Sequence, residues 1–264
     1  MEQMNYWQKQ GKTPLFAEID QERPEQRAQA GRLLVIGGQK GSFFAVAAAV
    51  EQAKKIGFGT VKVLLPDSLK AKVPADADVV FAPSEAAGGF GKAALEHVRA
   101  ATEQADYVLV IGDLGKNSET AVLLQEFLKT DKKPVLLTRD AVDLVAVGAV
   151  DWAQRENITL CATLPQLQKI FKALYYPKIL TLSMPVHQLV ETLHKFTITY
   201  PLTILTYHNA QVITATGGEV MTTELKDTQY TPISLWSGEW AVKTAALATW
   251  NAGQTLAAAT TALL

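Results

Sequence analysis

Three glycine-bearing turns and three carboxylates have the types and spacing to do chemistry. Gly37-Gly38-Gln39-Lys40-Gly41 follows a short β-branched apolar run, Arg32 to Ile36. The backbone N–H groups of such a turn, the start of the next helix and the Lys40 ammonium can hold an anion. The same glycines also suit a tight strand-to-helix turn with no ligand, and the run is neither a Walker A loop nor a GxGxxG. Gly112-Asp113-Leu114-Gly115 closes a second apolar run. Its glycines let backbone approach a ligand, and Asp113 can hold a hydroxyl or a metal-bound water; a plain turn with a solvated Asp113 is the alternative. Ser237-Gly238-Glu239 opens a helix, whose N-terminus favours a nearby anion. Glu239 there is a candidate general base, although acidic first-turn residues are common without any such role. Asp140 directly follows a strand, where it can orient a substrate or cap the next helix.

Other chemistries find little support. His187 and His194 lie seven apart on one expected helix, too far for the i, i+4 spacing of a zinc pair. With His97, His208 and one cysteine besides, there is no Cys/His cluster, so no metal site is expected. Cys161 falls in an expected strand and reads as a small core residue. No Gly-x-Ser-x-Gly elbow occurs. Trp236 and Trp240 flank the Ser-Gly-Glu turn and could stack on a planar ligand, though large aromatics more often fill core.

The elements that must position these residues alternate. Apolar runs over 32–36, 60–65, 78–81, 106–111, 134–138 and 158–161 read as strands, many closed by glycine or proline. Helical patterns cover 44–56, 92–104, 118–129, 141–146 and 166–174, with Ser118 as an expected N-cap. Strand–helix alternation every 20–30 residues argues for βαβ units, an α/β fold with a mostly parallel sheet and helices on both faces. After a helix over 186–196, the runs at 202–206, 211–214 and 220–224 suggest an antiparallel meander at one sheet edge. Helices over 238–250 and at the Ala-rich C-terminus finish the chain. Residues 1–30, polar and broken by Pro14 and Pro24, read as a short helix and an extended arm; 31–264 reads as a single domain.

Composition narrows the function. Of 264 residues, 48% are hydrophobic, enough for one sizeable core. Basic and acidic residues number 25 and 26, a net charge of −1, which disfavours nucleic-acid binding. A lone cysteine fits a reducing compartment. The N-terminus has no apolar h-region and no apolar run approaches a membrane span, so a soluble cytoplasmic protein is expected.

Leu33-Leu-Val-Ile-Gly-Gly38 followed by Gly57-Phe-Gly-Thr-Val-Lys-Val, and Asp106-Tyr-Val-Leu-Val-Ile-Gly112 followed by Lys133-Pro-Val-Leu-Leu-Thr-Arg-Asp-Ala-Val142, carry a resemblance. The chain resembles the ATP/ADP-dependent NAD(P)H-hydrate dehydratases of the ribokinase-like superfamily, from about Arg32 to Gly253. The resemblance implies a three-layer ribokinase-like sandwich, ATP or ADP with Mg2+ as cofactor, a nicotinamide-derived ligand, and a homo-oligomer. Asp140 matches the second aspartate of the family's Asp-Ala-Asp-Ala-Leu motif. The chain departs from the pattern elsewhere. The Gly-Pro-Gly-x-Gly turn is shortened to Gly112-Asp-Leu-Gly115. The Thr-Pro-His-x-Gly-Glu motif aligns with Cys161-Ala-Thr-Leu-Pro-Gln166, and the Lys-Gly stretch with Tyr207-His208-Asn209. The Gly-Thr-Gly-Asp motif aligns with Trp236-Ser-Gly-Glu239. These replacements point to a degenerate site that binds a nucleotide or other ligand. The alternatives are an active dehydratase or small-molecule kinase using Glu239 as base, with Lys40 and Arg139 the nearest cations, and an oligomeric structural protein with apolar terminal helices at its interface.

Overall fold

A computed structural model describes residues 5–74 and 78–264. Its β-branched runs assemble one ten-stranded sheet. The strands are β1 (Trp7–Gln10), β2 (Arg32–Gly37), β3 (Thr60–Pro66), β4 (Val79–Ala82), β5 (Tyr107–Gly112), β6 (Val135–Thr138), β7 (Ile158–Cys161), β8 (Leu202–His208), β9 (Gln211–Thr216) and β10 (Glu219–Glu224). Their order across the sheet is β1-β10-β9-β8-β7-β6-β5-β2-β3-β4. From β4 to β8 every pairing is parallel. β9 runs antiparallel to both β8 and β10, and β1 runs parallel to β10.

The helices are α1 (Phe44–Ile56), α2 (Leu95–Glu103), α3 (Ser118–Thr130), α4 (Asp140–Ala146), α5 (Ala149–Trp152), α6 (Leu164–Ala173), α7 (Val186–Thr199), α8 (Pro232–Ser237), α9 (Glu239–Trp250) and α10 (Thr255–Thr261). They cover both faces of the sheet. Strand residues alternate between the layers because successive side chains point to opposite faces. In β5, Val108 and Val110 pack with α2 to α7, while Tyr107, Leu109 and Ile111 pack with α1, α9 and α10. All five are buried, as expected of a parallel strand covered on both sides.

The expected meander is present over β8–β10, but it is not the sheet edge. β1 lies beyond it, where the sequence suggests a helix. Residues 7–10 are polar and carry no apolar signature; they form a strand because β10 offers an open ladder. The Trp7 indole N–H donates to Thr222 Oγ1 at 2.9 Å, and Gln10 Nε2 donates to the Thr260 carbonyl at 2.8 Å. The last contact ties the N-terminal strand to α10, whose Leu256 to Thr261 are all buried within the chain. Trp250 is also used internally, donating to the Ala30 carbonyl at 3.1 Å. Asn117, not Ser118, caps α3, accepting from the amides of Glu119 and Thr120. Helix α6 starts two residues earlier than expected, fixed by a capping box between Thr163 and Gln166.

Candidate functional site

Strand order locates the site before any side chain is considered. β2, β3 and β4 run outward in one direction and β5, β6, β7 and β8 in the other. The order therefore reverses between β2 and β5. In open parallel sheets ligands bind outside the carboxyl ends of the strands at such a switch point. The β2 and β5 carboxyl ends carry the first two glycine turns, and the third comes against them. The β2–β5 register shifts between Ile36 and Gly37, setting Gly37 opposite Gly112. A Cβ at Gly37 would lie 2.5 Å from the Gly112 carbonyl oxygen, so only glycine fits. Gly238 ends α8 and precedes α9 at φ 108°, with a Cβ there falling 2.4 Å from Ile111 Cδ1.

Most amides of the first two turns are bonded within the chain. Gly38 N–H donates to the Gly112 carbonyl at 3.1 Å, Gln39 N–H to the Ser42 carbonyl at 2.8 Å and Lys40 N–H to the Gly88 carbonyl at 2.9 Å. Leu114 and Gly115 N–H both donate to Asp140 Oδ2 at 2.9 Å. The Ala45 amide, in the first turn of α1, donates to Asp113 Oδ2 at 2.9 Å. The anion-holding role expected of the backbone here is thus taken by backbone carbonyls and two carboxylates of the chain itself. The Gln39 side chain lies over Gly115. Gly41 has open space around it, and Lys40 is exposed.

Arg139 is the residue that sequence reading undervalues. It sits between β6 and α4 at φ 56°, ψ −135°, a region that costs a side-chain-bearing residue about 1–3 kcal/mol. Its neighbours hold it there. Gln166 Nε2 donates to its carbonyl at 2.9 Å and to Asp143 Oδ2 at 2.7 Å. Its Nη2 donates to Asp113 Oδ1 at 2.8 Å, across from a nearly buried carboxylate that is itself at φ 57°. Arg139 Nε and Asp140 Oδ1 are buried without a partner among the described residues. Burial pushes the Asp140 carboxyl above its usual range against the two amide donors, and the neighbouring Asp113 charge adds to the push. Asp143 is held low despite burial by Lys169 and Gln166, with Lys116 adding to it. Asp140 occupies the first turn of α4; Arg139 holds the N-cap position expected of Asp140, without a side-chain cap.

Glu239 lies elsewhere. It is exposed, in a groove of about 340 Å3 between α9 and the outer side of α1, with Ala48, Glu51, Gln52 and Lys55. Ser237 shares that groove, and its hydroxyl donates to the Ser234 carbonyl at 2.6 Å. His208 is buried, its Nε2 bonded to the Met184 carbonyl at 2.6 Å. Cys161 is buried, its thiol pushed up to about 12 by desolvation. Among the described residues no three His, Cys, Asp or Glu side chains gather to hold a metal. Three of the four carboxylate oxygens of Asp113 and Asp140 accept from amides or Arg139, and only Asp140 Oδ1 is left without a partner, too few free oxygens for a preformed Mg2+ site among the described residues.

The chain is similar over 97% of its length to a ribokinase-like superfamily protein from Enterococcus faecalis, with TM-score 0.69 and 17% identity, covering 85% of that chain. The fold is ribokinase-like. A hypothetical protein from Streptococcus mutans superposes at TM-score 0.67 and 16% identity, over 92% of this chain and 84% of that one. The ADP/ATP-dependent NAD(P)H-hydrate dehydratase of Bacillus subtilis, co-crystallised with ATP and Mg2+, superposes at 0.60 and 14% identity, over 94% and 85%. No protein-family model and no curated protein sequence matches the chain. Among the described residues no helix is long and apolar enough to cross a membrane.

Proposed function

We propose that this ribokinase-like chain binds an adenine nucleotide, or a related nicotinamide-derived small molecule, at the β2–β5 crevice and does not turn it over. The meeting of the Gly37 and Gly112 turns at the sheet's switch point carries the reading, because two buried, partnerless polar atoms and two strained residues lie at the same place. Structural neighbours crystallised with ATP and Mg2+ or with ADP support the ligand class.

Loss of turnover is the reading favoured by Glu239 and by the turn amides. A general base must come within hydrogen-bond reach of the proton it removes. Glu239 shares its groove with the middle and end of α1, and neither Arg139 nor Asp140 lines that groove. Stabilising a transferring phosphoryl group needs preorganised donors aimed at it. Of the amides that would supply them, those of the first two turns at Gly38, Gln39, Lys40, Leu114 and Gly115, and that of Ala45, are bonded to Asp140, Asp113 and backbone carbonyls.

The test is a thermal-shift titration with ATP, ADP, NADH and NADPH, with and without Mg2+, beside an NAD(P)H-hydrate turnover assay. A ligand at about one hundred times its Kd adds about 2.7 kcal/mol, a shift of several degrees. A shift without turnover is expected. Turnover that disappears in Glu239→Gln would establish the active alternative.

A further inference from the structure

The donors left at the crevice point to how a ligand is held. Resting on the binding reading above, we propose that Arg139 is the residue that contacts the ligand's phosphate and that Gln166 is the positioning residue that aims it.

Elimination comes first. An incoming phosphate needs N–H donors, and at the ends of β2 and β5 those of Gly38, Gln39, Lys40, Ala45, Leu114 and Gly115 are bonded within the chain, so a side-chain donor there has to supply what these amides do not. The Arg139 guanidinium carries five N–H donors. Among the described residues one of its nitrogens, Nη2, is bonded, to Asp113 Oδ1 at 2.8 Å. Nε is buried and unpartnered, and the side chain as a whole is 37% exposed. The group is therefore anchored at Nη2, buried at Nε and exposed over the rest of its surface. A planar fork of this kind takes phosphate or carboxylate in bidentate geometry.

Aim comes second. Arg139 keeps a backbone conformation that favours glycine. A flexible lysine or arginine anywhere on the rim would neutralise an anion without that strain. Strain persists where surroundings over-determine it, and Gln166 does this here. Its Oε1 accepts from Thr163 N–H at 2.9 Å in the α6 capping box, while its Nε2 donates to the Arg139 carbonyl. One amide side chain thus ties the rigid start of α6 to the peptide that carries the guanidinium. Asp143, the other acceptor of Gln166 Nε2, is itself paired with Lys169, which fixes the glutamine further.

The test uses the full chain and three probes: inorganic pyrophosphate, ADP and ATP, titrated by calorimetry with thermal shift in parallel. Arg139→Gly alone would leave the Asp113 carboxylate unpaired, so the informative variant is Asp113→Asn with Arg139→Gly. Asparagine still accepts from the Ala45 amide, and glycine suits the strained backbone, so the fold is expected to survive. Its affinity for pyrophosphate and ADP is expected to fall at least about tenfold, the loss of one charge-assisted hydrogen bond. Arg139→Lys, which keeps the charge and loses the fork, is expected to weaken binding several-fold and serves if the double variant does not fold. Gln166→Ala is expected to weaken pyrophosphate binding in the native background but to add nothing in the Asp113→Asn, Arg139→Gly background; a purely structural glutamine would add its cost in both.

A folded double variant, or Arg139→Lys, that binds pyrophosphate and ADP as the native chain does overturns the Arg139 assignment and leaves nucleotide binding standing. Native protein that binds pyrophosphate but no nucleotide overturns the nucleotide reading and keeps Arg139. Native protein that binds none of the probes overturns both.

Discussion

The two ends of the sheet carry aspartates in opposite circumstances. At the amino end, Asp106 lies at the start of β5 and forms an ion pair with Arg32 of 2.7 Å, both side chains more than a third exposed. Its hydrogen bond to the guanidinium holds its carboxyl below the usual range. At the carboxyl end, Asp140 accepts from the Leu114 and Gly115 amides with one oxygen and leaves the other buried and partnerless. Burial drives its carboxyl up. The amino-end pair costs the fold little and could be replaced at small loss. The carboxyl-end group is held in place at the expense of its own solvation, together with Arg139 and Asp113 in left-handed backbone. The amino end has its own left-handed residue, Asn157, and its own buried unpartnered nitrogen, Arg155 Nε. What sets the carboxyl end apart is that Asp113, Arg139 and Asp140 bring strain and desolvation into one bonded cluster, where the proposed ligand site lies. Volume alone would point the other way. Cavities of about 520 and 560 Å3 open at the amino end, around Asp106, Lys133 and Asn157 and around Pro201 and Thr203.

Several substitutions can break this contrast. The largest effect is expected from Gly112→Ala. At φ 103° a Cβ would lie 2.7 Å from Asp140 Oδ1 and 2.9 Å from Arg139 Cβ. Backbone strain plus displacement of that cluster should cost about 3 kcal/mol or more in chemical denaturation. Asp140→Ala should follow, at about 2–3 kcal/mol, because it leaves two turn amides without an acceptor. If either variant is as stable as the native chain, the crevice is not the tensioned region described.

The pH dependence should separate the two aspartates by sign. Because its pKa is raised in the fold, Asp140 contributes stability that is present below the usual carboxylate value of 3.8 and lost as pH rises through its folded pKa. Asp106, with a lowered pKa, contributes stability present above 3.8 and lost as pH falls through its folded value. Relative to the native chain, Asp140→Asn should therefore gain stability as pH is raised from about 4 toward neutrality, and Asp106→Asn should lose it as pH is raised through the acid range below about 4, with little further change above. Unfolding curves at a series of pH values would show this, and slopes of the same sign would refute it. The smallest effect is expected from Gly41→Ala. Nothing lies within 4 Å of a Cβ there, so stability should change by no more than about 0.5 kcal/mol, although Gly41 shares a turn with Gly37.

Much of this frame is legible in the amino-acid sequence, for a physical reason. Buried parallel strands need unbroken β-branched and aliphatic runs, as in Val108 to Ile111, and they must end where the backbone turns, at Gly37 and Gly112. Elements without that requirement escape notice. β1 is a polar edge strand defined by its partner β10, and α5 is a single turn. Helix α8 did carry a signal, the Thr231-Pro-Ile-Ser234 capping box with proline at its first position. The site was legible as positions but not as bonding. Sequence spacing places Asp113, Asp140 and three glycine turns at strand ends. It cannot say that both carboxylates turn back onto amides of the same chain, or that Arg139 adopts a conformation usually left to glycine. Those facts depend on the close approach of turns 25 and more residues apart, and on Gln166, which looks like an ordinary helix residue until its two ends are traced.

The central claim is that ligand enters at the β2–β5 crevice, and hydrogen exchange with and without millimolar ADP tests it most directly. Slower exchange confined to residues 37–45, 112–117 and 139–143, with residues 29–32 and 252–255 at the amino end unchanged, is the predicted result. Slowing confined to the amino-end segments would contradict the account and place binding in the cavities below the sheet.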